Sequence, residues 1–400
     1  MDAAVLGSGR SGTAAAELLR REGWRVNILD GDEPWPGVAC DLCVTSPGVP
    51  LDHPWQKASR AAGVPVMSEL QLGAERFRAL GGRMLAVTGS KGKSSVVKLV
   101  ADALGGVPCG NYGVPLCEVV NGLSGKGVPP WAVVEVSSFQ METTELPPDA
   151  FEAAAVLNLQ EDHLDRHGSV SAYHALKRRL LDFAKVKVEG GDGTCPAGGC
   201  VARGDAELMA GSYFDNPVLR TNGLCAVALM RAAGLADDAM RDAFARFEPL
   251  PHRMQTVGAV DGVTWIDDSK STSIAALAAG VRMAAARFCA DGSRRILLIA
   301  GGLPKGDDPA SAAECIAVSV RKAYLIGRCA GMMEAAWRDA AECEMCVTLE
   351  RAVESAMRDA REGDCLLLSP GAASFDQFKS YGERGERFAA LMQSSAAGRT

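Results

Sequence analysis

Ten residues, AVTGSKGKSS at 86–95, carry the plainest chemistry in this chain of 400 residues. A phosphate-binding loop of spacing G-x-x-x-x-G-K-[ST] would end on Gly92, Lys93 and Ser94, yet Val87 stands where its first glycine belongs. An apolar strand pattern precedes the stretch and a helix pattern follows it, which is the setting such a loop needs. Gly89, Ser90, Lys91, Gly92 and Ser95 would then offer backbone N–H groups to phosphates. Lys93 would neutralise β and γ oxygens, and Ser94 would reach Mg2+. The bland alternative is a glycine turn carrying a surface lysine.

Two more groups fall at strand ends. EVSSFQ puts Glu135 at the end of an apolar run, where an isolated carboxylate is costly unless it meets a cation. NLQEDHLDRHG puts His163 just past the next apolar run, among Glu161, Asp162 and Asp165. Alone, such a histidine is an ordinary hydrogen-bonded loop residue; two strand ends beside a phosphate loop make it a candidate metal ligand. In SVSAYHALKRRLLDFAKV, Tyr173, Leu176, Leu180, Leu181 and Ala184 trace one helical stripe. Lys177 occupies the i+4 position of that stripe, while Arg178 and Arg179 are expected to point away. An inward lysine either snorkels or is chemically altered. Burial lowers an amine's pKa, and a neutral amine can capture CO2 as a carbamate, an anion able to bridge metals.

Such groups must be held by strands and glycine loops, and the chain supplies three sets. AAVLGSGRSGTAAAELLRREGWRVNILD reads as strand, glycine turn (Gly7, Gly9, Gly12), amphipathic helix and second strand ending on Asp30. That is the dinucleotide fingerprint, with a helix N-terminus suited to a pyrophosphate. DLCVTS is a further strand, and TSPGVP the turn after it. A second start comes near residue 81, where GGRMLAVTGSKGKSSVVKLVADAL repeats strand, loop and helix. WAVVEVSS and AAAVLNLQEDH follow as buried parallel strands with polar carboxyl ends. A third follows LPHRMQ: VTWIDD leads into SKSTSIAALAAGVRMA, where a Ser or Thr can cap a helix. RRILLIAGG, KAYLIG and GDCLLLSPG continue the alternation. The fold class is α/β, in three consecutive domains at 1–80, 81–250 and 251–400.

Composition narrows the function. The formal charge of −7 and the lack of a long Lys/Arg block argue against a general nucleic-acid binder. No run approaches the length of a membrane span, and the N-terminus does not read as a secretory signal. The 13 cysteines are scattered and read as reduced thiols of a cytoplasmic protein. Cys195 with Cys200, and Cys40 with Cys43, look metal-like, but their pairing is poor for a four-cysteine site.

AVTGSKGKSS, GNYGVP, EVSSFQMETT, LNLQEDHLDRHGS, YHALKRR, LPHRMQ, WIDDSKSTS and LSPGAASFDQFKSYGERGERF occur in that order along nearly the whole chain. Together they resemble the Mur ligase superfamily, and within it the D-glutamate-adding branch. The first loop glycine is absent in that superfamily too. The resemblance implies a Rossmann-like N-terminal domain for the UDP-sugar. It further implies a P-loop-type central ATPase with a parallel sheet, and a Rossmann-like C-terminal domain for the amino acid. It implies ATP-dependent ligation of D-glutamate to UDP-N-acetylmuramoyl-L-alanine, in peptidoglycan precursor synthesis. The chain is expected to be a monomer, and three linked domains with substrates between them predict hinge motion near residues 80 and 250.

By the same resemblance, Ser94, Glu135, His163 and Lys177 as its carbamate would hold two Mg2+ ions. Asn111 would contact the UDP-sugar near the reacting carboxylate. Asn222, Arg253 and Asp268 would hold adenosine and ribose, with Lys270 near the phosphates. Thr272, Lys305, Ser374, Phe375 and Tyr381 would surround the amino acid. Arg10, Ser11 and Asp30 would bind uridine diphosphate in place of NAD. Four departures stand out. Lys91 replaces the usual Asn, Thr or His; Val218 and Leu219 stand where a His-Asn pair is common; Ser273 replaces a frequent Asn; the segment 186–218 looks short. Two rivals remain at this point: a sibling ligase adding another amino acid, and a non-catalytic NAD-binding protein.

Overall fold

The computed structural model describes residues 1–397, apart from 32–36, 38, 124–126, 128–130 and 191–203. Cys195 and Cys200 lie outside the described residues. Among the described residues, fifteen strands form three sheets. The first holds β1 (Asp2–Leu6), β2 (Arg25–Leu29), β3 (Leu42–Thr45) and β4 (Val66–Ser68), all parallel, in the order β2-β1-β3-β4.

The second sheet holds β5 (Arg83–Thr88), β6 (Val107–Gly110), β7 (Trp131–Glu135), β8 (Phe151–Val156) and β9 (Ala184–Glu189). Its order is β6-β7-β5-β8-β9, again parallel throughout. The strand that feeds the phosphate loop is therefore central. It is flanked by β7, which ends at Glu135, and β8, which ends at Val156, seven residues before His163. In a parallel sheet the carboxyl ends of neighbouring strands open on one edge, which brings distant stretches together.

The third sheet holds β10 (Gln255–Val260), β11 (Val263–Asp267), β12 (Ile296–Gly301), β13 (Val320–Ile326), β14 (Glu342–Val347) and β15 (Cys365–Leu368). Its order is β10-β11-β15-β12-β13-β14, with only the β10–β11 hairpin antiparallel. Alternate residues of these strands enter two different cores. Ile266, Leu298, Leu325 and Leu367 face one; Trp265, Leu297, Tyr324 and Leu366 face the other. Both faces are covered, which is why the strands read as continuous apolar runs. Ser273, which takes the place of a frequent Asn, caps the helix Ile274–Phe288 by accepting from the Ala276 N–H.

The chain divides into two compact units. One comprises residues 1–215 and 219–247 and contains the first two sheets; the other comprises 216–218 and 248–400 and contains the third. A single apolar core runs from Ala3 to Ala184 and joins the first two sheets. Its seam is made by the helices Arg10–Arg21, Glu69–Ala79 and Leu116–Gly122. Gly73 marks their closest approach, because a Cβ there would sit 2.9 Å from the Cys117 nitrogen and from Leu116.

Candidate active site

The glycine loop at the end of β5 takes its shape from positive φ at Gly89 (152°) and Gly92 (82°). At Gly92 the absent Cβ is also a matter of space, since it would lie 2.1 Å from the Asn222 side-chain nitrogen. The helix Lys93–Leu104 starts directly after it. Lys93 Nζ curls back to donate to the carbonyls of Gly89 (2.8 Å) and Ser90 (3.3 Å). Ser94 Oγ donates to Glu135 Oε2 at 2.8 Å, and Asn111 Nδ2 donates to Glu135 Oε1 at 2.8 Å. The Glu135 carboxylate is buried, yet each oxygen has a partner from a different loop.

Lys177 is buried on the inner face of the helix Val170–Arg178. Its Nζ donates to the Gly89 carbonyl at 3.0 Å and lies 4.7 Å from the Tyr173 ring centroid. Burial, and then the nearby Lys93 charge, push this amine down to about 7. Two lysines thus share one carbonyl at the mouth of the loop. Arg179 departs from expectation: it donates to the carbonyls of Met141 and of Thr144 (2.8 Å for the latter) instead of pointing away. Residues 179–183 tighten into a 3-10 turn, which rotates the side chain from the position an α-helix would give it.

His163 sits in the left-handed region (φ 52°) at the start of the short helix Leu164–His167. Its ring is half exposed, 4.9 Å from Phe139 and 6.2 Å from Tyr173 between centroids. Tyr173 thereby connects the histidine with the buried lysine. Among the described residues, no group of three or more His, Cys, Asp or Glu side chains is arranged to hold a metal ion. Glu135 and His163 are the two residues of those types in the expected set, so the hydroxyl of Ser94 and a modified Lys177 would have to complete it. Carboxylate, hydroxyl and carbamate are hard oxygen donors that fit Mg2+, and the His163 imidazole would be a borderline nitrogen donor among them.

In the first sheet, Arg10 makes a two-pronged ion pair with Glu118, both bonds at 2.8 Å. Asp30 accepts from Ser8 Oγ and from the Gly31 N–H (3.2 Å for the latter), closing β2 onto the glycine turn. Ser11 is half-buried in the first turn of the following helix.

The second unit gathers its own set. Lys305 Nζ donates to Thr272 Oγ1 at 3.2 Å, and Lys270 Nζ lies 4.0 Å from the Tyr381 ring centroid. Burial lowers the Lys270 pKa, aided by the charges of Arg253 and Lys305. Asp268 is buried, accepting from Ser369 Oγ (2.8 Å) and the Met254 N–H (3.2 Å), and burial raises it to about 7. Ser374 is buried, while Phe375 is 69% exposed.

Comparison with known proteins agrees with this architecture. The chain matches the Mur ligase middle domain over residues 126–189 and the Mur ligase glutamate ligase domain over 252–371. The UDP-N-acetylmuramoylalanine–D-glutamate ligase of Thiobacillus denitrificans is 34% identical across 99% of this chain and 96% of its own length. The enzyme of that name from Sphingopyxis alaskensis is 35% identical across 98% and 97%. This chain belongs to the Mur ligase family.

Within the family it groups with the D-glutamate ligases, and it is a ligase. Two solved structures show the shared fold. One is UDP-N-acetylmuramate-alanine ligase MurC from Thermotoga maritima (TM-score 0.56, 16% identity, 99% and 100% of the two chains). The other is MurF ligase from Thermotoga maritima in complex with ADP (TM-score 0.59, 15% identity, 90% of each chain). The alignment to the Thiobacillus ligase runs over 468 positions, so that relative carries segments this 400-residue chain lacks.

Two residues of this Mur ligase escaped the sequence reading. Asn158, just past β8, accepts from the Lys91 N–H and donates to the Lys91 carbonyl, both at 2.9 Å. It also donates to Asn222 Oδ1 at 3.2 Å. The signal was available, since Asn158 is a polar residue after an apolar strand, as Glu135 and His163 are. Arg384 is the second. It is almost wholly buried and donates to Ser269 Oγ and O at 2.9 Å each, and to the carbonyl of Ala372 from both terminal nitrogens. Tyr381, Arg384 and Phe388 form a helical stripe that places it inward.

Proposed function

We propose that this ligase joins D-glutamate to UDP-N-acetylmuramoyl-L-alanine at the expense of ATP, through an acyl phosphate. A carboxylate is a poor electrophile. Transfer of the γ-phosphoryl group to the lactyl-alanine carboxylate gives it a leaving group, and the amine of D-glutamate then displaces phosphate. The first step brings two anions together, so the site must cancel repulsion. Lys93 lies in the loop that would receive the phosphates, and Lys177 adds a second amine at the same carbonyl. Asn111 holds the Glu135 carboxylate from the side opposite Ser94, next to where the reacting carboxylate would lie.

Ser94, Glu135, His163 and carbamylated Lys177 are the residues that would hold two Mg2+ ions, which when bound supply charge cancellation for the phosphoryl oxygens. By the family resemblance, Asn222 and the loop Gly89–Ser95 would bind the nucleotide, and Arg253, Asp268 and Lys270 are assigned to it on the same ground. Arg10, Ser11 and Asp30 fit the uridine diphosphate, and Thr272, Lys305, Ser374, Phe375 and Tyr381 the amino acid. The division into domains at 1–80, 81–250 and 251–400 follows the three sheets. Among the described residues the cysteines form no disulfide and no helix is long and apolar enough to cross a membrane. In this reading the protein acts in the cytoplasm as a monomer, and its partners are its two small substrates.

The observation that carries this reading is the buried Glu135 carboxylate, shared by the loop serine and Asn111 beside two converging lysines. The experiment offers ATP, Mg2+, UDP-N-acetylmuramoyl-L-alanine and a panel of amino acids, and measures phosphate release. Release with D-glutamate alone is expected. Release with L-glutamate or a diamino acid instead would transfer the protein to a sibling activity, and NAD binding in place of the UDP-sugar would remove it from catalysis.

A further inference from the structure

Three residues past His163, Arg166 has no part in the chemistry described so far, yet it holds more of this site together than any ligand candidate. Its Nε donates to Glu142 Oε1 at 2.9 Å and its Nη2 to Glu142 Oε2 at 2.6 Å. The side chains are only 16% and 7% exposed. The same Nη2 donates to the carbonyls of Pro47 and Val49, each at 3.3 Å. The guanidinium lies over Phe139, 4.8 Å from the ring centroid, and Phe139 in turn packs on His163. Glu142 also reaches the nearly buried His167, 3.6 Å from its Nδ1.

The turn at Pro47 and Val49 is the roof of the first glycine loop. Ser46 N donates to the Leu6 carbonyl at 2.9 Å, and Val49 N to the Ser46 carbonyl at 3.0 Å. A Cβ on Gly7 would stand 3.0 Å from Ser46, and one on Gly12 only 1.9 Å from the Gly7 carbonyl. No slack separates this turn from the loop. Arg166 is therefore a brace with one end on the glycine loop of the first sheet and the other on the His163 turn of the second.

We infer that Arg166, clamped by Glu142, is a positioning residue for the UDP-sugar: it fixes the turn Ser46–Pro50 relative to the strand ends that carry Glu135 and His163. This rests on the proposed reading of the first sheet as the UDP-sugar site. A planar fork is needed, because one group must satisfy a carboxylate bidentately and two carbonyls together. Lysine keeps the charge and loses the fork.

The test compares the wild type with Arg166→Lys, Arg166→Ala, Glu142→Gln and the double Arg166→Ala/Glu142→Ala. KM is measured for each substrate, with direct calorimetric titration of UDP-N-acetylmuramoyl-L-alanine alongside. Each single change is expected to raise KM and Kd for the UDP-sugar by about tenfold or more, with KM for ATP held within about twofold. The double variant should lose little beyond the first change, since the two residues act as a unit. Unchanged UDP-sugar affinity in Arg166→Lys, alongside an active wild type, overturns the brace and leaves the ligase reading intact. A lowered Tm with every KM unaltered does the same. A wild type that neither binds the UDP-sugar nor releases phosphate overturns the ligase reading, and the brace with it.

Discussion

Around the glycine loop of the first compact unit the candidate groups bind one another; in the second, beyond the Lys305–Thr272 bond and the Lys270–Tyr381 contact, they are propped from behind. Ser94, Glu135 and Asn111 form a chain of side-chain bonds across a helix start, a strand end and a loop, and Lys93 and Lys177 meet at the Gly89 carbonyl. In the second unit, Phe375 and Lys305 lie exposed, and what fixes their loops is a layer beneath. Arg384 ties the carbonyls of Ser269 and Ala372, and Asp268 holds Ser369 and the Met254 N–H. One region has its chemistry and its scaffold in the same atoms. The other separates them, so its surface can be altered while its frame stands.

That contrast predicts where damage goes. The largest effect belongs to Lys93→Ala, expected to lower turnover by roughly 10²–10³ by analogy with loss of one preorganised electrostatic donor, and to lower the melting temperature as well, since its Nζ also holds the Gly89 and Ser90 carbonyls. Phosphate release near the wild-type rate would break the contrast at its root. Next comes Lys177→Ala, expected to be nearly inactive and to recover in part when short carboxylic acids are added, since they can stand in for a carbamate. Full activity without them would show that the lysine only packs.

For the second unit the expectation reverses. Arg384→Met leaves several buried carbonyls without donors and should cost roughly 3 kcal/mol of stability. Denaturant unfolding of the variant measures it, and an unshifted midpoint would mean the frame is held elsewhere. The smallest effects are in pH. Lys177 in the folded chain titrates near 7 against an ordinary 10.5, so the unfolded chain binds more protons between those values and stability should rise with pH there. Asp268 is shifted the other way, from 3.8 to about 7, so its contribution should decline as pH rises across that window. Lys177→Met should flatten the first slope and Asp268→Asn the second, each read from unfolding midpoints at paired pH values.

The parallel sheets and their glycine loops were legible because buried strands and helix starts are written locally. Lys177 was legible too, since its helical stripe needs no tertiary knowledge. The seam of helices around Gly73 was not, because small residues that permit close approach carry no period. The 3-10 turn that redirects Arg179 was also hidden: its residues read equally well as continued α-helix. Arg166 and Glu142 carry no sequence signal of their own, and it is the packing of the turn at Pro47 against them that makes them a buried pair.

Asn158 grips the Lys91 peptide from both sides, N–H and carbonyl, and also touches the amide that fills the space over Gly92. The loop's shape is thus held by the protein's own side chains. On the proposed reading, a triphosphate bound there would find little loop entropy left to lose.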